Sequence, residues 1–174
     1  MSKEMIKTLM ILGGITLVLI VITVSGRGEN NYRNALLMDK TVDSLLEAIQ
    51  VKDSDSIKHF FSEGVREEVG EEKFDKGIEY LYSLFDGDIV FKEMVYDYGK
   101  GRANDGFGRK RVVVRYLYSV KTTVDTYKIN IIYYTVDTIT PDFKGMYSLW
   151  IQKESESYGI GYDFMGIYVP PEMN

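Results

Sequence analysis

Three runs between Lys110 and Lys153 constrain the fold more than any other part of the chain. They read Lys110-Arg-Val-Val-Val-Arg-Tyr-Leu-Tyr-Ser-Val, Tyr127-Lys-Ile-Asn-Ile-Ile-Tyr-Tyr-Thr-Val-Asp and Met146-Tyr-Ser-Leu-Trp-Ile-Gln-Lys. β-Branched and aromatic side chains dominate each run because they pack well on a pleated surface, and the breaks between runs hold the Thr, Asp, Gly and Pro that turns require. The pattern predicts a three-stranded antiparallel meander.

Strand alternation then assigns faces. Tyr127, Ile129, Ile131, Tyr133, Thr135 and Asp137 fall on one face of the second run, taken as the inner one. Tyr116 and Tyr118 share it on the first run, and Tyr147, Leu149 and Ile151 share it on the third. Tyr116, Tyr118 and Tyr133 are the expected lining of any inner pocket. The opposite face receives Val113, Leu117, Ile132, Tyr134 and Trp150. Five large apolar residues on one solvent-facing surface predict an interface, either a homodimer or a partner contact centred on Trp150, unless the C-terminal segment or a loop folds over them.

Helical periodicity precedes the meander. Leu36, Leu37, Val42, Leu45, Leu46 and Ile49 recur at three- and four-residue intervals. Lys52-Asp-Ser-Asp-Ser offers N-cap residues for a second, short helix with Ile57, Phe60 and Phe61. After Gly70, a third helix carries Phe74, Ile78, Leu81, Tyr82 and Phe85, and Gly87 stops it. A strand is expected over Ile89–Tyr98, a loop over Gly99–Gly108, and a final strand over Tyr158–Val169 before Pro170-Pro171. Helices segregated from an antiparallel sheet define an α+β domain.

The N-terminus is different in kind. Leu9 to Val24 contains no charged residue; as a helix it would span about 24 Å, or about 28 Å from Ile6, against a bilayer core of about 30 Å. A retained anchor, a cleaved signal peptide and a buried helix compete. The apolar run is longer than a usual signal-peptide core, Val24-Ser-Gly lacks the Ala-x-Ala form, and no amphipathic period marks it as a core helix. The expected layout is a transmembrane signal anchor at 1–26, a polar linker at 27–34 and a domain at 35–172. A short tail before the anchor favours a single-pass protein in the cell membrane with the domain outside the cytoplasm.

Composition narrows the chemistry. The chain has no cysteine and a single histidine, His59, so disulfides, thiolate sites, a cysteine nucleophile and clustered His ligands are excluded. No metal or other cofactor is expected. With 21 Lys and Arg against 26 Asp and Glu, and a net charge of −5, nucleic acid is an unsuitable general partner.

Several pieces also resemble a known family. They are Leu45-Leu-Glu-Ala-Ile-Gln-x-Lys-Asp, Phe60-Phe-Ser, Phe85-Asp-Gly, Tyr134-Thr-Val-Asp-Thr with Pro141-Asp, Gly145-Met-Tyr-Ser-Leu and Gly166-Ile-Tyr-Val-Pro. Together they resemble an uncharacterised family of small extracytoplasmic lipoproteins of Gram-positive bacteria, a "domain of unknown function" with an NTF2-like or cystatin-like fold. The resemblance implies three helices packed on a curved antiparallel sheet of four to five strands, with a conical pocket between them. It implies no catalytic residue. Family members often carry a lipid-anchoring cysteine, which this chain lacks, so the hydrophobic segment would take over the anchoring.

Two functions from different classes remain. One is a membrane-tethered NTF2-like binding or assembly domain, for which the fourteen tyrosines offer stacking surfaces to a small-molecule or peptide ligand. The other is a pocket enzyme, a lyase, isomerase or hydrolase, with Asp137 as acid or base at the pocket rim. Against the second, Asp commonly bonds backbone amides in a turn, and a turn toward Pro141 follows Asp137. Lys100, Arg102, Arg109, Lys110, Arg111 and Arg115 concentrate positive charge near one loop. They are either a solvated hairpin edge or a contact for anionic lipid or cell-wall polymer.

Overall fold

In the computed structural model of the chain, residues 35–156 and 164–170 are described, apart from the side chains of 96–100. The run Leu9–Val24, the linker 27–34 and residues 158–163 of the expected last strand lie outside the described residues. Among the described residues no helix is long and apolar enough to cross a membrane. The chain divides into two units, Met1–Lys40 and Thr41–Asn174. Of the first, residues 35–40 are described and are helical. The second is a mixed α+β unit.

Helix α1 (35–50) places Val42, Leu45, Leu46 and Ile49 at helical spacing, and all four are buried. Helix α2 (Ser54–Phe60) starts at Asp53, whose carboxylate accepts the Ser56 amide at 3.0 Å. That bond satisfies an otherwise orphaned donor and holds the Asp53 carboxyl below its ordinary range. The periodicity predicted three helices, and the structure adds one more, α3 (Glu63–Val69). Gly64 hides it in the sequence. There a Cβ would stand 2.9 Å from the Phe143 ring, so the glycine serves a close approach and breaks no helix. Helix α4 (Glu71–Leu84) buries Phe74, Ile78 and Leu81.

The sheet has five strands in the order β1-β2-β3-β4-β5: β1 (Ile89–Asn104), β2 (Lys110–Thr122), β3 (Thr126–Asp137), β4 (Gly145–Lys153) and β5 (Gly166–Ile167). The first four form the antiparallel meander. Strand β1 runs past its expected end at Tyr98, because residues 100–104 pair with Lys110–Val114 and turn most of the expected loop into a long hairpin. Within the described residues the last strand is only two residues long and runs parallel to β4.

Cross-strand partners share a face. Tyr118 lies opposite Ile129 and Ile129 opposite Ile151, while Tyr116 lies opposite Ile131 and Ile131 opposite Leu149. These six are at most 1 % exposed and form the inner layer. The helices pack on it. Phe85 and Tyr127 rings meet at 4.6 Å, and the Tyr127 hydroxyl donates to the Leu84 carbonyl at 3.1 Å and accepts the Asp86 amide at 3.0 Å.

Besides the register shifts along β1, one-residue bulges in β3 and β4 break the alternation. Val112 pairs with Val136 but Val113 with Tyr134, so Thr135 is an extra residue in β3; Ile132 pairs with Ser148 but Tyr133 with Met146, so Tyr147 is extra in β4. A single inserted residue moves everything beyond it to the other face. Asp137, expected inside, therefore lies outside with its partner Arg111. Tyr147 is corrected in the same way: its ring stacks on that of outer-face Tyr134, and Met146 takes the inner position.

Candidate functional site

The bulges gather one polar and aromatic cluster on the outer face, at the start of β2 and the end of β3. Its centre is Asp137, whose side chain is wholly buried. One carboxylate oxygen, Oδ1, accepts the amides of Ile139 at 3.0 Å and Thr140 at 2.9 Å. The other, Oδ2, accepts Arg111 Nε at 2.7 Å and the Thr140 hydroxyl at 3.2 Å. Arg111 also donates through Nη2 to Thr140 Oγ1 at 2.5 Å. A carboxylate offers about four lone-pair sites, and four donors fill them.

The guanidinium of Arg111 continues the cluster. Its Cζ lies 4.7 Å from the centre of the Tyr134 ring, which stacks at 4.8 Å and 14° on Tyr147, and Phe143 approaches Tyr147 at 6.4 Å. A cation over an aromatic face is attracted by the ring quadrupole. Burial raises the Tyr134 phenol above its ordinary pKa.

Three of the sequence pieces that carry the family resemblance meet here. Tyr134-Thr-Val-Asp-Thr supplies the stack, the bulge and the buried carboxylate, and Pro141-Asp-Phe forms the 3-10 turn that follows. Gly145, at φ 141°, lets the chain before α3 approach: a Cβ there would stand 3.0 Å from the Cβ of Ser62. Next to it, the Ser62 amide donates to the Met146 carbonyl at 3.1 Å. Phe60-Phe-Ser and Gly145-Met-Tyr are thus one junction.

The other expected site residues are distributed as follows. Tyr116 and Tyr118 are 1 % and 0 % exposed, so they pack between sheet and helices. Tyr133 stays on the inner face beside Val114 and Met146 and is half-buried, which raises its phenol pKa. Val113, Leu117, Ile132, Tyr134 and Trp150 do lie together on the outer face. The expectation that they form a solvent-facing patch is corrected, since Ile132 and Tyr134 are buried and the other three half-buried within one chain.

His59 is exposed, and its Nδ1 lies 2.7 Å from the Asp55 carbonyl oxygen. It borders a depression of about 150 Å³ that also touches Lys58, Arg66 and Glu71. Periodicity gave no hint of the ion pairs there. Lys58 meets Asp75 at 2.7 Å and Glu71 at 2.5 Å, and hydrogen bonding to Asp75 and then Glu71 raises its pKa. A groove of about 480 Å³ lies between α4 and the β5 region, lined by Lys73, Lys76, Phe164 and Tyr168 among others.

A family described as a domain of unknown function (DUF5104) matches residues 44–154. Among curated proteins no match was found.

Proposed function

This chain belongs to the DUF5104 family, and we propose that it is a single-pass, membrane-anchored protein whose NTF2-like domain works outside the cytoplasm by binding or assembly, without catalysis. The observation that carries this reading is the state of Asp137, the carboxylate best suited by sequence to proton transfer. It is off the inner face, wholly buried, and engaged by Arg111, Ile139 and Thr140. A general base needs a free lone pair within reach of a substrate proton. Tyr116, Tyr118 and Tyr127 support the same reading by filling the inner layer where a pocket enzyme would hold substrate. Helices on one face of a bulged, five-stranded sheet suit an NTF2-like domain, and the uncharged run Leu9–Val24 suits the anchor.

Protease added to intact cells tests the placement. A C-terminal tag on the full chain is expected to be digested. A tag that is protected until the cells are lysed would overturn the orientation.

A further inference from the structure

The β1–β2 hairpin projects its charge into one small region. Between residues 99 and 111 stand Lys100, Arg102, Arg109, Lys110 and Arg111 against the single acid Asp105, in a chain of net charge −5. Two of these cations are internally neutralised: Arg111 by Asp137, and Arg109 by Asp105 at 2.5 Å. Arg102 and Lys110 are exposed, and no carboxylate among the described residues pairs with either. Lys110 pairs with Asn104 and Arg102 with Val112, so the two side chains stand diagonally on the same face of the ribbon.

At the apex is Phe107, 86 % exposed. The turn that presents it is well bonded. The Asn104 side chain accepts the Gly106 amide at 3.0 Å, Asp105 accepts the Phe107 amide at 2.9 Å, and Gly106 and Gly108 take φ of 81° and 80° on either side. Thr138 ties the base of the ribbon to β3 through the Lys110 amide at 2.7 Å. A large apolar ring is thus held in water by a well-bonded turn, with the exposed Arg102 and Lys110 behind it.

We propose that this hairpin tip docks on the surface of an anionic phospholipid bilayer, with Phe107 entering the headgroup layer and Arg102 and Lys110 facing lipid phosphates. Aromatic rings favour that layer, and cations next to it are drawn to an anionic leaflet. The charge distribution selects this occupant. The acidic remainder of the domain is repelled by such a surface, so the tip is the part that approaches. A single ring flanked by glycines also lacks the packed apolar surround of a protein interface.

The proposal rests on the membrane placement above only for where the surface is met. Because the chain has no cysteine, an environment-sensitive dye is attached to the full chain at Ala103→Cys, with Val124→Cys at the β2–β3 turn as control. Each is reconstituted into phosphatidylcholine vesicles with and without phosphatidylglycerol. The expected result is a blue shift and quenching by spin-labelled lipid at position 103 only, only with phosphatidylglycerol. Both signals should be lost in Phe107→Ser and in Arg102→Glu/Lys110→Glu, and in about 1 M salt, where the Debye length falls to about 3 Å. No signal at 103, an equal signal in neutral vesicles, or a signal that survives the substitutions overturns it. Failure of the anchor reads out separately, as full chain that does not float with neutral vesicles.

Discussion

Arg111 on β2 and Asp137 at the end of β3 are direct cross-strand partners, and their side chains meet at 2.7 Å on the outer face of the sheet. Asp137 is wholly buried whereas Arg111 keeps 28 % of its side chain exposed. Removing the carboxylate charge strands an arginine that still reaches water. Asp137→Asn is therefore expected to cost about 2 to 3 kcal/mol, toward the lower end for breaking a buried pair. Urea unfolding measures it, and Arg111→Met should cost less in the Asp137→Asn background than in the natural chain. An unchanged midpoint for Asp137→Asn would return this residue to the candidates for proton transfer.

That pair also marks where the sequence stopped being readable. Through β2 and as far as Tyr134, strict alternation placed every large side chain on its observed face, because one face is buried and the register cannot slip without exposing it. Thr135 and Tyr147 ended this. Neither is a glycine, and each bulge is specified by what it lets the chain touch: Arg111 from Asp137, and Tyr134 from Tyr147. Such contacts are long-range and leave no local mark. The Gly99–Gly108 stretch failed for the opposite reason. Its glycines read as a loop, yet pairing with β2 holds Gly101 in a strand.

Tyr127 joins the sheet to the end of α4. Its hydroxyl is the partner of both the Leu84 carbonyl and the Asp86 amide, and the residue is fully buried. Tyr127→Phe keeps the ring against Phe85 and removes only those bonds. The expected loss is about 1 to 3 kcal/mol, the cost of leaving backbone groups unsatisfied. Hydrogen exchange at the Asp86 amide should accelerate more than the global change explains. Equal acceleration across the domain would mean that this contact carries no local role.

Gly77 lies inside α4, where alanine would ordinarily gain about 1 kcal/mol of helix propensity. Here a Cβ would stand 2.8 Å from the Cβ of Ile167 on β5. Overpacking of this kind costs about 1 to 3 kcal/mol, so Gly77→Ala is expected to lower stability on balance. A thermal midpoint that rises instead would show that β5 yields to the methyl group.

The buried phenols set a pH limit on the fold. Tyr82, Tyr133 and Tyr134 all have pKa values raised above 10.0, in each case first by burial. In the unfolded chain these phenols ionise near their ordinary value, while in the folded chain they stay neutral to higher pH. Above that value the folded state binds more protons than the unfolded one, so stability must fall as pH rises. The contribution is fully present below about pH 9 and is lost through the window above 10.0. Lys58, held above 10.5 by Asp75 and Glu71, adds a loss of the same sign at slightly higher pH. Urea midpoints are therefore expected to be level up to about pH 9 and to decline steadily toward about pH 11. Tyr134→Phe should make the decline shallower, and Lys58→Met should flatten only its upper part. A midpoint that holds constant to about pH 11 would mean that Tyr134 ionises in the folded chain as freely as in water, and that its burial does not hold the phenol neutral.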